Sequence, residues 1–308
     1  MSEPTGAARG LLWGRRMDNE RTVRRVMAGA AAGAVALAAY AFLVEPRWLQ
    51  VTRNRIHVRG LHPALEGFTI ALLTDLHVGE GTPLSLVRRA CRLTMAEKPD
   101  LIAITGDLVA DDAPGFGEVL DAIQGLAAPF GVWAVPGNHD HAVGIDRFRR
   151  DLAAQDAVGD LTNRAEVFDV DGARFCVTGV DDLNVGRPDL GVLPPPEERD
   201  FTLLLAHDPG QAERVRRVCD RVDLIVSGHT HGGQIRLPFV GAVKNPAERD
   251  DLYEEGLRRR PWTQVYTSRG VGTVHIPVRF LCRPEVAMLT LTGAPRPPRP
   301  GLMGTPFA

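Results

Sequence analysis

Five short clusters in the chain carry most of its reactive side chains: Asp75-Leu76-His77, Gly106-Asp107, Gly137-Asn138-His139-Asp140, Ala206-His207-Asp208 and Gly228-His229-Thr230-His231-Gly232-Gly233. Together they hold five of the nine histidines. Mixed carboxylate and imidazole donors suit a borderline transition metal such as Mn, Fe or Zn better than a Ca²⁺ cage, which is built from oxygens. Glycines beside the donors let the backbone turn sharply and approach an ion closely. A single DxH or GD pair is common by chance. The longer strings GNHD and GHTHGG, in this order with the other three, are not.

These clusters need elements to aim them, and each follows an apolar run that reads as a buried strand. Phe68–Thr74, Leu101–Thr105, Gly131–Val135, Phe201–Ala206 and Asp223–Ser227 are the runs that precede them. Helices are expected over Pro83–Lys98, Phe116–Leu126 and Ile145–Gln155, and between the last two strands, where Arg214, Arg216 and Arg217 mark an exposed side. Val167–Val170 and Arg174–Val177 flank Asp171-Gly172, a hairpin signal. Val265–Ser268 and Val286–Leu291 close the body as β-structure, and no internal repeat is found. βαβ units with a hairpin predict an α/β fold of mixed sheets covered by helices. In such sheets ligand groups sit beyond the C-terminal strand ends, where all five clusters fall.

The order DxH, GD, GNHD, H, GHTH resembles the calcineurin-like metallophosphoesterase superfamily. The strings SGHTHGGQIRLP, YTSRGVG and RFLCRPEV resemble its bacterial membrane-associated phosphodiesterase branch, from about Phe68 to Leu291. The resemblance implies a four-layer α/β/β/α sandwich with two mixed sheets and two divalent ions, Mn, Fe or Zn, at the sheet edges. It implies that Asp75, His77 and His231 hold one ion and that Asp107 bridges to the second, which Asn138, His207 and His229 complete. A hydroxide bridging the ions would then attack a phosphate ester in line, with His139 protonating the leaving oxygen or stabilising the phosphoryl charge. One position departs from the pattern. Many members carry an Asp three residues after the bridging Asp to orient the GNH histidine, and here that residue is Ala110, followed by Asp111 and Asp112. Either Asp111 reaches His139 through a shifted loop, or His139 lacks a carboxylate partner. His57, His62, His141 and His275 fall outside the pattern and read as surface or linker residues.

Bulk properties narrow the class further. The 308 residues are 44% hydrophobic and 24% charged, as in a globular protein. The net charge of −2 hides an asymmetry: residues 1–60 carry ten Arg against four acids, and the remainder 26 basic against 34 acidic residues. So acidic a body is a poor nucleic-acid binder, and no nucleic-acid partner is expected. Cys91, Cys176, Cys219 and Cys282 are scattered without a CxxC pair and read as core thiols.

From Val26 to Val44, nineteen residues lack charge, enough for a helix of about 28 Å, close to a bilayer core. Arg24-Arg25 before it resembles a twin-arginine export signal, and Ala36-Leu37-Ala38 and Ala39-Tyr40-Ala41 fit small-x-small cleavage sites. The expected organisation is a basic region at 1–25, a membrane anchor or export signal at 26–44, a linker and entry strand at 45–66, a metallophosphoesterase domain at 67–292 and a Pro-rich tail at 293–308. Arginines before the apolar segment outnumber those just after it, which places the body outside the cytoplasm by the positive-inside rule.

The substrate is expected to be a phosphoester, and membrane tethering favours a lipid-linked form. A phosphodiesterase leads. A UDP-2,3-diacylglucosamine pyrophosphatase-type hydrolase of lipid A synthesis is the alternative, and a scaffold without catalysis a third reading. Substrate choice is assigned to the loops 182–199 and 237–262, where Arg258–Arg260 offer a phosphate clamp or a solvated charge run, and Leu237, Phe239 and Trp262 offer contacts for a lipid tail.

Overall fold

A computed structural model describes residues 6–79, 81–111, 113–218, 222–243 and 251–293, with backbone alone for 6–20. Asp112, Cys219 and the Pro-rich tail beyond Gly293 lie outside the described residues. Two six-stranded sheets face each other. The first is built from β1 (Gln50–Val58), β2 (Thr69–Leu73), β3 (Leu101–Thr105), β4 (Val132–Val135), β5 (Gly159–Asp160) and β14 (Glu285–Gly293), in the order β1-β14-β2-β3-β4-β5. The second comprises β6 (Arg164–Val170), β7 (Ala173–Gly179), β8 (Phe201–Leu205), β9 (Leu224–Ser227), β12 (Gly256–Arg259) and β13 (Gln264–Thr267), in the order β12-β13-β9-β8-β7-β6. A small hairpin, β10 (Arg236–Leu237) with β11 (Gly241–Ala242), stands apart from both.

The central strands are buried on both faces, which explains why they read as unbroken apolar runs. Along β2, Ile70 and Leu72 face the second sheet while Ala71 and Leu73 face the helices. Along β8, Leu203 and Leu205 enter the inter-sheet core while Leu204 turns outward. This is the period of two that a pleated strand imposes. Helices α2 (Leu84–Ala96), α3 (Gly117–Ile123) and α4 (Asn138–Ala153) cover the first sheet, and α5 (Gln211–Val218) covers the second. In α2, Leu86, Val87, Ala90, Cys91 and Thr94 are buried at helical spacing and form one face. The layers are therefore α/β/β/α, as the resemblance implied.

Strands β2 to β5 run parallel, as do β7, β8, β9 and β13. Their C-terminal ends meet along one edge of the molecule, and all five clusters lie there.

One local expectation needs correction. The helix expected over Ile145–Gln155 starts at Asn138, inside the GNHD string, and breaks at Gly144, whose φ of +131° hides its periodicity. The entry strand expected within 45–66 is β1, nine residues long and paired in parallel with β14. Its burial is one-sided and partial, so the apolar signal is faint.

Helix α1 (Gly6–Ala39) continues through a π-helical turn (Tyr40–Val44) and a 3₁₀ turn (Glu45–Arg47) onto the body. Its stretch Arg21–Arg47 is long and apolar enough to cross a membrane and is almost wholly exposed.

Candidate metal centre

Sharp turns after the strands present the polar side chains. Asp75, His77, Asp107, His229 and His231 all adopt left-handed backbone, with φ of +52°, +45°, +52°, +69° and +51°. Non-glycine residues rarely do so, and such conformations persist where the surroundings enforce them. Main-chain bonds supply the enforcement: Asp75 N–H donates to Gly106 O (3.0 Å), His77 N–H to Asp107 O (3.0 Å) and Gly272 N–H to Asp75 O (2.6 Å). Two glycines keep the space free. A Cβ at Gly228 would lie 2.1 Å from Asp75 Oδ2, and one at Gly137 2.2 Å from Asp107 Oδ1.

All eight sequence-predicted residues gather. Asp75, His77 and His231 form one group, and Asp107, His207 and His229 another, each with donor atoms within 4.8 Å of one another. His77 Nε2 lies 3.0 Å from His231 Nε2 and 3.5 Å from Asp107 Oδ2, while His231 Nε2 lies 3.4 Å from Asp75 Oδ1. His207 Nε2 lies 3.1 Å from Asp107 Oδ2, 3.2 Å from Asn138 Oδ1 and 3.1 Å from His229 Nδ1. Asp107 thus touches both groups. Its Oδ1 also accepts from His139 N–H at 2.9 Å.

The donor set fits cations. His207 donates its Nδ1 proton to Thr105 O at 2.7 Å, so in the neutral ring Nε2 carries a lone pair facing Asp107, Asn138 and His229. Burial keeps neighbouring imidazoles neutral: it lowers His77 to about 3 and holds His229 and His231 below the usual histidine range. Burial also raises Asp75 to about 6. For Asp107 burial opposes ionisation, but His207, His77 and His139 outweigh it and hold the carboxyl well below its usual range. For His207 burial opposes charging, but Asp107 outweighs it and raises the ring well above 6.5. Lone pairs crowded at about 3 Å around a buried carboxylate are what a divalent ion satisfies, displacing the remaining protons as it binds.

His139 does have a carboxylate partner. Asp111 Oδ1 lies 2.6 Å from His139 Nδ1, so the acid one residue beyond Ala110 reaches it.

Other residues were not anticipated. Buried Asp140 accepts from the main-chain N–H of Leu108 (2.9 Å), Val109 (3.4 Å) and Gly137 (3.0 Å), locking the loop of Asp107 to that of Asn138. It was visible in the GNHD string, but its role lies in backbone contacts that spacing does not reveal. Asp208 Oδ2 lies 4.0 Å from His229 Nε2 and accepts from Asn184 Nδ2 at 2.8 Å. His141 is only partly exposed and has a partner: its Nε2 is 2.7 Å from the buried Asp181. Nor is His275 remote, since its ring centroid is 6.3 Å from that of His139. The arginines offered as a phosphate clamp sit on and after edge strand β12, with Arg260 bonded to Tyr253 and Arg259 to Gln264. Trp262 packs under Arg216 and donates to Ala212 O on α5.

The family model of calcineurin-like phosphoesterases matches residues 68–233, which span all five clusters. The chain belongs to this family. It is therefore a hydrolase acting on phosphoric esters. It is 36% identical over 257 residues to phosphodiesterase YaeI of Escherichia coli, covering 82% of this chain and 92% of the relative. It is 31% identical over 284 residues to metallophosphoesterase YkuE of Bacillus subtilis, covering 90% and 98%. A transmembrane protein with metallophosphoesterase domain from Bos taurus is 29% identical over 261 residues, covering 80% of this chain and 57% of the relative. The family uses divalent metals, and the clustered Asp and His residues suit them.

Proposed function

We propose that this phosphoesterase is a membrane-anchored phosphodiesterase working with a pair of divalent ions. The convergence of eight side chains from five separated clusters around Asp107 carries the reading. Asp75, His77 and His231 would hold one ion, Asn138, His207 and His229 the other, with Asp107 between them. Such a pair would supply an activated water and charge neutralisation at the non-bridging phosphoryl oxygens.

The remaining steps belong to the chain. Asp140 fixes Asp107 and Asn138 in register through three main-chain N–H groups. Asp208 places a negative charge 4.0 Å from the far nitrogen of His229, and Thr105 O fixes the tautomer of His207. His139, held at Nδ1 by Asp111, keeps Nε2 to carry a proton to the leaving oxygen. The E. coli relative's name favours a diester substrate. The lipid A pyrophosphatase alternative finds no support in relatives named phosphodiesterase or metallophosphoesterase. Arg21–Arg47 supports anchoring, with a lipid-linked diester as the natural substrate class.

Chain loaded with Mn²⁺ should hydrolyse bis-p-nitrophenyl phosphate with a kcat/KM about ten-fold or more above that for p-nitrophenyl phosphate. Chelation should abolish turnover and added metal restore it. A reversed preference would remove the diester reading. Ordinary turnover by Asp107→Asn would remove the bridging role.

A further inference from the structure

The base of α1 is built into the rim of the metal centre. Arg279 N–H donates to Ala41 O at 3.0 Å, and Cys282 N–H donates to Glu45 Oε1 at 2.5 Å. Glu45 is wholly buried although it directly follows the apolar segment. Trp48, half exposed, lies beneath the Arg283 guanidinium at 3.5 Å. The same stretch, 274–282, holds the β10–β11 hairpin on its other side. Arg236 N–H donates to Phe280 O and Phe280 N–H to Gln234 O, both at 2.9 Å. Leu281 sits between the residue that binds the hairpin and the residue that binds the helix base.

Exposed apolar side chains concentrate along this line. Leu237, Phe239, Val240 and Val243 project from the hairpin and its flank, and Ile276 and Leu281 from the stretch beside it. Phe239 is fully exposed, at 108%. The line continues into Phe42, Leu43 and Val44 at the end of α1, also exposed. Ile276 follows His275, whose ring is 6.3 Å from that of His139. A contiguous apolar surface on a soluble face marks an interaction site. Here it is continuous with an apolar helix of membrane-spanning length, and its border carries Trp48 with Arg283, an aromatic and a cation suited to the headgroup level.

We infer that the β10–β11 hairpin and the 276–281 stretch form a second membrane contact, which inserts beside α1 and holds the metal-site rim against the bilayer surface. The occupant is the lipid surface itself. The inference rests on the anchoring reading of α1 and deepens it, since a hinged tether becomes a fixed mount that presents the site to a phosphodiester in the headgroup layer.

The test uses the full chain with Phe239→Trp or, as control, Val167→Trp on distant β6, reconstituted into phosphatidylcholine–phosphatidylglycerol vesicles with or without brominated acyl chains. Flotation with the vesicles reports anchoring by α1 separately. Circular dichroism and thermal melts matching those of the wild type report the fold of both variants. Tryptophan at 239 should emit at shorter wavelength than in Val167→Trp and lose intensity in brominated vesicles, while the control loses none beyond the wild-type background. Flotation with a water-like, unquenched emission from 239 would overturn the second contact and leave the anchor standing. A blue-shifted but unquenched emission would overturn it in favour of a protein partner. Failure to float would remove the anchor and this inference with it.

Discussion

At the scale of single residues, the pairing of His139 with Asp111 lets the proposed mechanism separate two jobs that share one site. In that proposal the clustered Asp, Asn and His residues bind the ions, and His139 handles the leaving group. His139→Ala should therefore keep metal binding and lose more rate on an alkyl ester than on a p-nitrophenyl ester, because p-nitrophenolate departs without a proton. A difference of about 10²-fold between the two losses is the expected scale for a general acid. Asp111→Asn should reproduce the same selectivity in weaker form, and leaving-group series on both variants check it. Equal losses across the series would remove His139 as the acid. His141 and Asp181 make a different kind of prediction. The Asp181 hydrogen bond raises His141, while burial works against Asp181's ionisation and is outweighed by His141 and main-chain N–H groups, which hold it low. The pair's stabilisation is fully present between the unfolded Asp and His pKa values, roughly 4 to 6.5. It fades above that window as His141 deprotonates, and below it as Asp181 is protonated. His141→Gln should lower the melting temperature most inside the window and little at pH 9, as thermal melts across pH would show.

At the scale of elements, the loop 268–285 rests on one buried side chain. Arg279 is wholly buried and donates to the carbonyls of Arg269 (2.7 Å), Gly270 (3.3 Å), Gly272 (3.1 Å) and Cys282 (3.1 Å). Gly272 in turn holds the Asp75 carbonyl, so the guanidinium props a ligand turn from behind. Arg279→Met leaves several carbonyls unpaired and should cost on the order of 3 kcal/mol or more in denaturant unfolding, with weaker metal binding by titration. Arg279→Lys should recover part of the loss. In the sequence this arginine lay in the string RFLCRPEV, which spoke of relationship and not of mechanics. The legible parts were those with strong local signals: runs such as Leu101–Thr105, the turn at Asp171-Gly172, and the ligand clusters at strand ends. What stayed hidden depended on distant partners. The bounds and partner of the entry strand, β1, need β14 to declare them, and the N-terminus of α4 is masked because Gly144 breaks its period. His141 resembled a stray histidine until Asp181, forty residues on, was placed beside it.

At the scale of the whole molecule, the short segment between α1 and β1 decides how far α1 can be separated from the body. A chain starting at residue 39 keeps the Ala41 and Glu45 contacts, and one starting at residue 50 loses them together with Trp48 over Arg283. The second should melt lower than the first by about 5 °C, taking one or two buried hydrogen bonds at roughly 1–3 kcal/mol each. Equal melting temperatures would show that the seating of α1 contributes no stability. Strand β1 carries a further consequence. Its partner is β14, with Gln50 opposite Glu285 and Val58 opposite Gly293. A ribosome releases β1 among the first parts of the body and β14 last. Until then β1 has no neighbour, Ile56 and Val58 face water, and the edge of β2 lies open. The nascent chain therefore presents α1 long before the body can close around its root, and closure comes as a late, long-range event of the slow kind. The first strand of the body waits for its last.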